Sequence, residues 1–106
     1  MSIIDIRSGD NLSIVYTIVD ENNAVVDLSG GTITWDILVS GTTTALVTKS
    51  SPSGGVELTT PTSGIATVAL NPADTTGLRG TYQLDGEFTD SSSNVYTFED
   101  GGIYIS

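Results

Sequence analysis

The stretch NPADTTGLRGTYQL (residues 71–84) decides how this chain folds. It gathers an Asp, three Thr, two Gly and Arg79, one of only 3 cationic residues among 106. Such a segment is a reactive loop, a ligand cradle or the corner of a fold, and the sequence around it chooses among these. Directly downstream, TYQLDGEFT (81–89) puts Tyr82, Leu84 and Phe88 on one face and Gln83, Asp85 and Glu87 on the other. Far upstream, NLSIVYTIV (11–19) sets Leu12, Ile14, Tyr16 and Ile18 against Ser13, Val15, Thr17 and Val19. TITWDILVS (32–40) sets Ile33, Trp35, Ile37 and Val39 against Thr34 and Asp36. A period of two marks strands with one face on a core and one in water. The β-branched and aromatic content of these runs agrees with that reading.

Shorter strand candidates fill the gaps at 3–6, 45–49, 65–70, 95–99 and 103–105. DENNA (20–24) and DSSSN (90–94) read as hairpin loops, because Asn and Asp tolerate the left-handed region and bond their own backbone. SGG (29–31), SSPSGG (50–55) and TTPTSG (59–64) are further interruptions. No window carries a helical stripe, and residues 72–77 make at most one short turn. About seven short antiparallel strands over residues 1–106 predict a single all-β domain, a sandwich or small barrel.

An immunoglobulin-like antiparallel β-sandwich asks for two local features, and both have candidates. One is a buried Trp on the third strand, met by Trp35. The other is a Tyr opening the sixth strand, whose hydroxyl ties back to the preceding corner. Tyr82 takes that place, and Leu84, two residues on, is the inward position where disulfide-bearing sandwiches carry Cys. Leu78 then plugs the end of the core, and Gly80 supplies permissive backbone at the bend. Asp74 caps the short turn through Thr76 or Gly77. The opening stretch is thus expected to be the corner between the fifth and sixth strands.

Composition narrows the chemistry. The chain has no His and no Cys, so the commonest neutral-pH base, thiolate nucleophiles and Cys-type zinc sites are all missing. With 13 acidic and 3 basic residues the net charge is −10. Arg7, Lys49 and Arg79 are too far apart in sequence to make a patch unaided. Nucleic acid is therefore not an expected partner, nor is an anionic membrane. MSIIDIRSGD (1–10) has no apolar core of a signal peptide, and no 18-residue apolar run exists to span a bilayer.

Few candidate sites remain. Paired carboxylates at Asp85 and Glu87, with Glu57 and Glu99 on other strands, are best read as hydrated outward side chains rather than as a glycosidase pair. Asp36 faces away from Trp35 and is read as solvated or at a subunit contact. Asp20, Asn22, Asp90 and Asn94 are weak candidates for Ca²⁺, since hard oxygen ligands suffice for it, although their spacing is not that of an EF-hand. A polar turn is the simpler account, and no cofactor is expected. EDGG (99–102) reads as a bulge or kink in the last strand. The chain reads as a non-enzyme.

The frame DNLSIVYTIVDENNAVVDLSGGTITWDI (10–37), followed by GIATVALNPADTTGLRGTYQLDGEF (64–88), resembles small immunoglobulin-like modules of tailed-phage virion proteins. The closest type is the amino-terminal domain of upper baseplate proteins. Its recurring features are a strand after an acidic start, a D-L-S/T-G element (here 27–30) and an A-D-T-x-x-L-x-G-x-Y corner (here 73–82). The resemblance implies a structural role without chemistry in a virion assembled in a bacterial cytoplasm, as baseplate or tail, head fibre or capsid decoration. It implies other virion proteins, or copies of the chain in a homo-oligomer, as partners. The resemblance also leads to the expectation of a long carboxy-terminal part, from which this sequence departs by stopping at the module. The terminal strands IIDI and GGIYIS are the expected pairing edges. Val15, Val19 and Leu38, which point away from the core faces, fill the reverse side of a small barrel or else make subunit contacts. A carbohydrate- or receptor-binding module is the other functional class, with Tyr96 and Tyr104 as its only loose aromatics.

Overall fold

The computed structural model describes residues 3–51 and 54–106, so expectations touching Met1, Ser2, Pro52 and Ser53 lie outside the described residues. Among the described residues, nine strands form the fold: β1 (Ile3–Ile6), β2 (Leu12–Thr17), β3 (Thr32–Leu38), β4 (Ala45–Ser50), β5 (Val56–Thr60), β6 (Ile65–Leu70), β7 (Gly80–Thr89), β8 (Val95–Glu99) and β9 (Gly102–Ile105). A 3₁₀ turn at Pro61–Ser63 and a one-turn helix α1 (Pro72–Thr75) are the only helical pieces there. The larger sheet runs β1-β9-β7-β3-β4, with β8 beside the rest of β7; the smaller runs β2-β6-β5. The two pack face to face as a β-sandwich.

Three points correct the sequence reading. First, the strands number nine rather than about seven. VELTT forms β5, although only Val56 and Leu58 alternate there and Pro61 follows at once. The candidates at 95–99 and 103–105 are separate strands, as read, parted at Asp100–Gly101. β8 and β9 lie along the same side of β7, with Leu84 N–H bonded to Gly101 O at 2.9 Å between them. Glu87 pairs with Thr97 and Gly86 with Glu99, so Phe98 is skipped, which is the bulge that EDGG suggested nearby. Second, not every pair is antiparallel: β1 runs parallel to β9. Third, β9 lies between β1 and β7, so its backbone is used on both sides and it is no free edge.

A single hydrophobic cluster joins the sheets. Ile33, Trp35, Ile37, Leu84, Phe88, Ile103 and Ile105 come from the larger sheet and meet Val56, Ala66, Val68 and Leu70 from the smaller. Trp35 and Leu84 are both wholly buried. Val39 does not follow Trp35 inward: the β3–β4 register slips between Ile37 and Leu38, and Val39 beyond it is exposed. Val15 and Val19 do not fill a barrel interior either, since two separate sheets leave their outer faces in water. Leu38 is buried outside the main cluster, flanked in register by Ala45 and Gln83.

Candidate functional site

The corner, which lies between β6 and β7 rather than between a fifth and a sixth strand because VELTT adds a strand before it, is built as a set of short clamps. Tyr82 O–H donates to Arg79 O at 2.9 Å, and its oxygen accepts from Arg79 N–H at 3.1 Å. That ties the start of β7 to the bend before it. Gly80 takes φ +109°, a left-handed value open to glycine at little cost. Leu78 packs half-buried against the core. Asp74 differs from expectation. Its Oδ2 reaches back to Asn71 N–H at 2.7 Å, as a helix N-terminus favours, and pairs with Lys49 Nζ at 2.8 Å. Of the forward amides, Thr76 N–H donates to Pro72 O at 3.1 Å instead of to Asp74.

Two partners of the corner were missed from sequence. Lys49 faces inward opposite Trp35, where alternation would place an apolar residue, and its only signal was that misfit. Thr75 is wholly buried; its Oγ1 accepts from Gly9 N–H at 2.9 Å and its carbonyl from Ser8 Oγ at 2.8 Å. Together they lash the corner to β4 and to the β1–β2 link. Partial burial pushes the Asp74 carboxyl up. The Lys49 ammonium and the Asn71 amide outweigh it, however, and hold the group below the usual carboxylate range.

A polar chain crosses the sandwich interior. Trp35 Nε1–H donates to Tyr16 Oη at 3.0 Å, Tyr16 O–H donates to Glu99 Oε1 at 2.7 Å, and Gly101 N–H donates to Glu99 Oε2 at 3.0 Å. Burial, and after it the bond to Glu99, push the Tyr16 phenol far above its ordinary value, so it stays a neutral donor. Glu99 is therefore no hydrated outward carboxylate. Asp36 and Asp85 do face outward, directly opposite each other on β3 and β7, with Glu87 two residues along. Asp36 and Asp85 thus make a like-charge pairing that weakens the sheet locally.

The hairpins beneath the weak Ca²⁺ candidates are closed by their own backbones. Asp20 Oδ1 accepts from Asn22 and Ala24 N–H, and Asp90 Oδ1 accepts from Ser92 and Asn94 N–H. The Asn94 amide adds a bond to Asp90 Oδ2. Asn23 and Ser93 take φ of 63° and 69°, so the second loop uses Ser where Asn was the natural choice. The bonds from Asn94 and then Ser92 hold the Asp90 carboxyl low. Both loops share one end of the sandwich, where Asp20, Glu21, Asn94, Val95 and Tyr96 line an open cleft of about 510 Å³. Among the described residues no group of three or more acidic side chains is arranged to hold a metal ion.

The D-L-S-G element is a turn. Asp27 Oδ1 accepts from Ser29 N–H at 2.9 Å, which lowers its pKa, and Leu28 plugs the core with no exposed surface. The loose aromatics divide: Tyr96 stacks on Phe88 at 6.0 Å between ring centroids, while Tyr104 is 45 % exposed. No family model, curated protein or solved structure gives a significant match to the chain.

Proposed function

We propose that this chain is a non-enzymatic structural protein of a phage or prophage virion, in the baseplate or tail, a head fibre or the capsid decoration, and that its sandwich is immunoglobulin-like. The observation that carries the reading is the corner at residues 73–82. There Tyr82, which closes the motif that bears the virion resemblance, also makes the clamp to the Arg79 backbone that such a sandwich uses. Trp35 buried on β3 and Leu84 at the inward position of β7 support the same fold. The surface offers open strand edges and exposed apolar side chains, among them Ile3, Val15, Val95 and Tyr104, which suit attachment to other subunits. Its partners are copies of itself and other virion proteins. Mass spectrometry of particles purified from the encoding organism tests this: the protein copurifies at fixed stoichiometry with the major virion proteins. Recovery only in the soluble lysate, with intact particles lacking it, contradicts the reading.

One observation favours a glycan- or receptor-binding module instead, namely the cleft that sets Tyr96 beside Asp20, Glu21 and Asn94. Saturable shifts of the Tyr96 ring resonances on glycan titration are the sign of that second reading.

A further inference from the structure

The edges of the two sheets are not alike. β4 is bent by the register slip at Ile37/Leu38 and turns the charged Lys49 inward. β5 has its register broken between Glu57 and Thr60 and runs into Pro61. β1 is four residues long and exposes Asp5. β8 is bulged at Phe98 and ends on Glu99. Short length, bulges, inward charges and proline are the devices that keep sheet edges from pairing with other chains.

β2 has none of them. LSIVYT carries no charge, no Pro and no Gly, and its register with β6 is unbroken from Leu12↔Leu70 to Thr17↔Ile65. Ile18 N–H bonds to Gly64 O at the end of that ladder. Antiparallel alternation therefore aims the N–H and C=O of Ser13, Val15 and Thr17 away from β6, toward the open side. Among the described residues no strand pairs there. In the middle of this edge, Val15 is the most exposed large hydrophobic residue of the described chain, at 64 %.

We propose that the β2 edge pairs with the β2 edge of a second copy of this chain, antiparallel about a two-fold axis at Val15, joining two three-stranded sheets into one. Self-pairing is what the sequence of the edge fits. Val15 meets its own copy, while Ser13 falls opposite Thr17, a hydroxyl pair that antiparallel strands accommodate. A two-fold contact is also self-complementary, residue against residue, so one strand suffices for both sides. Each copy carries a net charge of −10, so copies repel wherever acidic surfaces meet, and Leu12–Thr17 is an uncharged edge by which they can approach. A six-residue edge buries less than the roughly 800 Å² per partner of a standard interface, so the dimer is concentration-dependent. The inference deepens the assembly reading by naming one partner and its strand.

Sedimentation equilibrium across a concentration series tests it on the whole chain. Wild type shifts from 11.0 kDa toward twice that mass as concentration rises. Val15→Lys and, separately, Thr17→Lys weaken the dimer at least tenfold, although each lowers the net negative charge, and Val15→Ile retains it. Unchanged Trp35 emission shows that the variants are folded. A wild type that stays monomeric, or a folded Val15→Lys protein that dimerises as well as wild type, overturns the β2 pairing. A monomer that is nonetheless found in particles sinks this interface and leaves the assembly reading, whereas a β2 dimer absent from particles does the reverse.

Discussion

Two tyrosines with similar hydrogen-bond counts carry different weight. Tyr82 sits at the rim, and its hydroxyl serves backbone groups that water can reach once it is gone. Tyr16 stands between the indole of the buried Trp35 and the half-buried Glu99. Losing its hydroxyl leaves the indole N–H and Glu99 Oε1 without a partner, and an unsatisfied buried polar group costs about 1–3 kcal/mol. Tyr16→Phe is accordingly expected to destabilise by about 3 kcal/mol and Tyr82→Phe by about 1 kcal/mol. Urea unfolding followed at Trp35 ranks them, and equal losses contradict this account of the interior chain. Asp74 gives a pH signature. Its folded pKa is depressed, so its contribution is complete above about pH 4, where an unfolded Asp is ionised. It is lost as pH falls through the lower folded value. Melting temperatures of wild type and Asp74→Asn are thus expected to differ most at pH 5–7 and to converge toward pH 2. A gap that does not narrow in acid contradicts the role given to the ionised carboxylate. The sequence disclosed Tyr82 because its partners lie three residues away. It could not disclose Tyr16–Glu99 or Lys49–Asp74, which exist only once distant strands are in place.

At the scale of elements, the three long alternating runs became β2, β3 and β7, because uninterrupted period-2 patterning leaves a chain little alternative. VELTT offered two apolar residues before a Pro, too few to distinguish a strand from a loop, and its pairing with β6 comes from the tertiary fold. The parallel β1–β9 pair was equally hidden, since local pattern says nothing of partner direction. The connection into β6 depends on Gly64, at φ +71° after the 3₁₀ turn. A Cβ there would lie 2.8 Å from Ile18 O and 2.7 Å from Val25 Cγ1. Gly64→Ala is therefore expected to cost at least about 2 kcal/mol, from left-handed strain plus the clash with fixed backbone. Thermal unfolding checks it, and a neutral Gly64→Ala removes the argument that the connection into β6 requires glycine.

At the scale of the whole molecule, the charge pattern bears on the proposed association. Lys49 is consumed by Asp74, which leaves Arg7 and Arg79 as exposed cations on a strongly acidic surface. Two such copies repel over distances comparable with the Debye length, about 10 Å at 0.1 M salt. Added salt is therefore expected to strengthen the dimer, and sedimentation at about 0.05 and 0.5 M tests the sign. Weakening by salt points instead to an interface held by ion pairs. The all-β character and the Tyr82 clamp were legible in the sequence, whereas the pattern points to the chain ends as pairing edges. The first and last strands have exposed apolar side chains, but β9 is paired on both sides and β1 bears Asp5. Which edge is unguarded depends on sheet order, a property of the folded chain.

The most direct measurement is residue-resolved amide hydrogen exchange on dilute and concentrated protein. The account predicts that Ile14 and Tyr16, bonded to β6, are protected at both concentrations, while Ser13, Val15 and Thr17 gain protection together as concentration rises. If those three amides exchange equally fast throughout, or if protection grows at β1 or β4 instead, the β2 edge is not where this protein assembles.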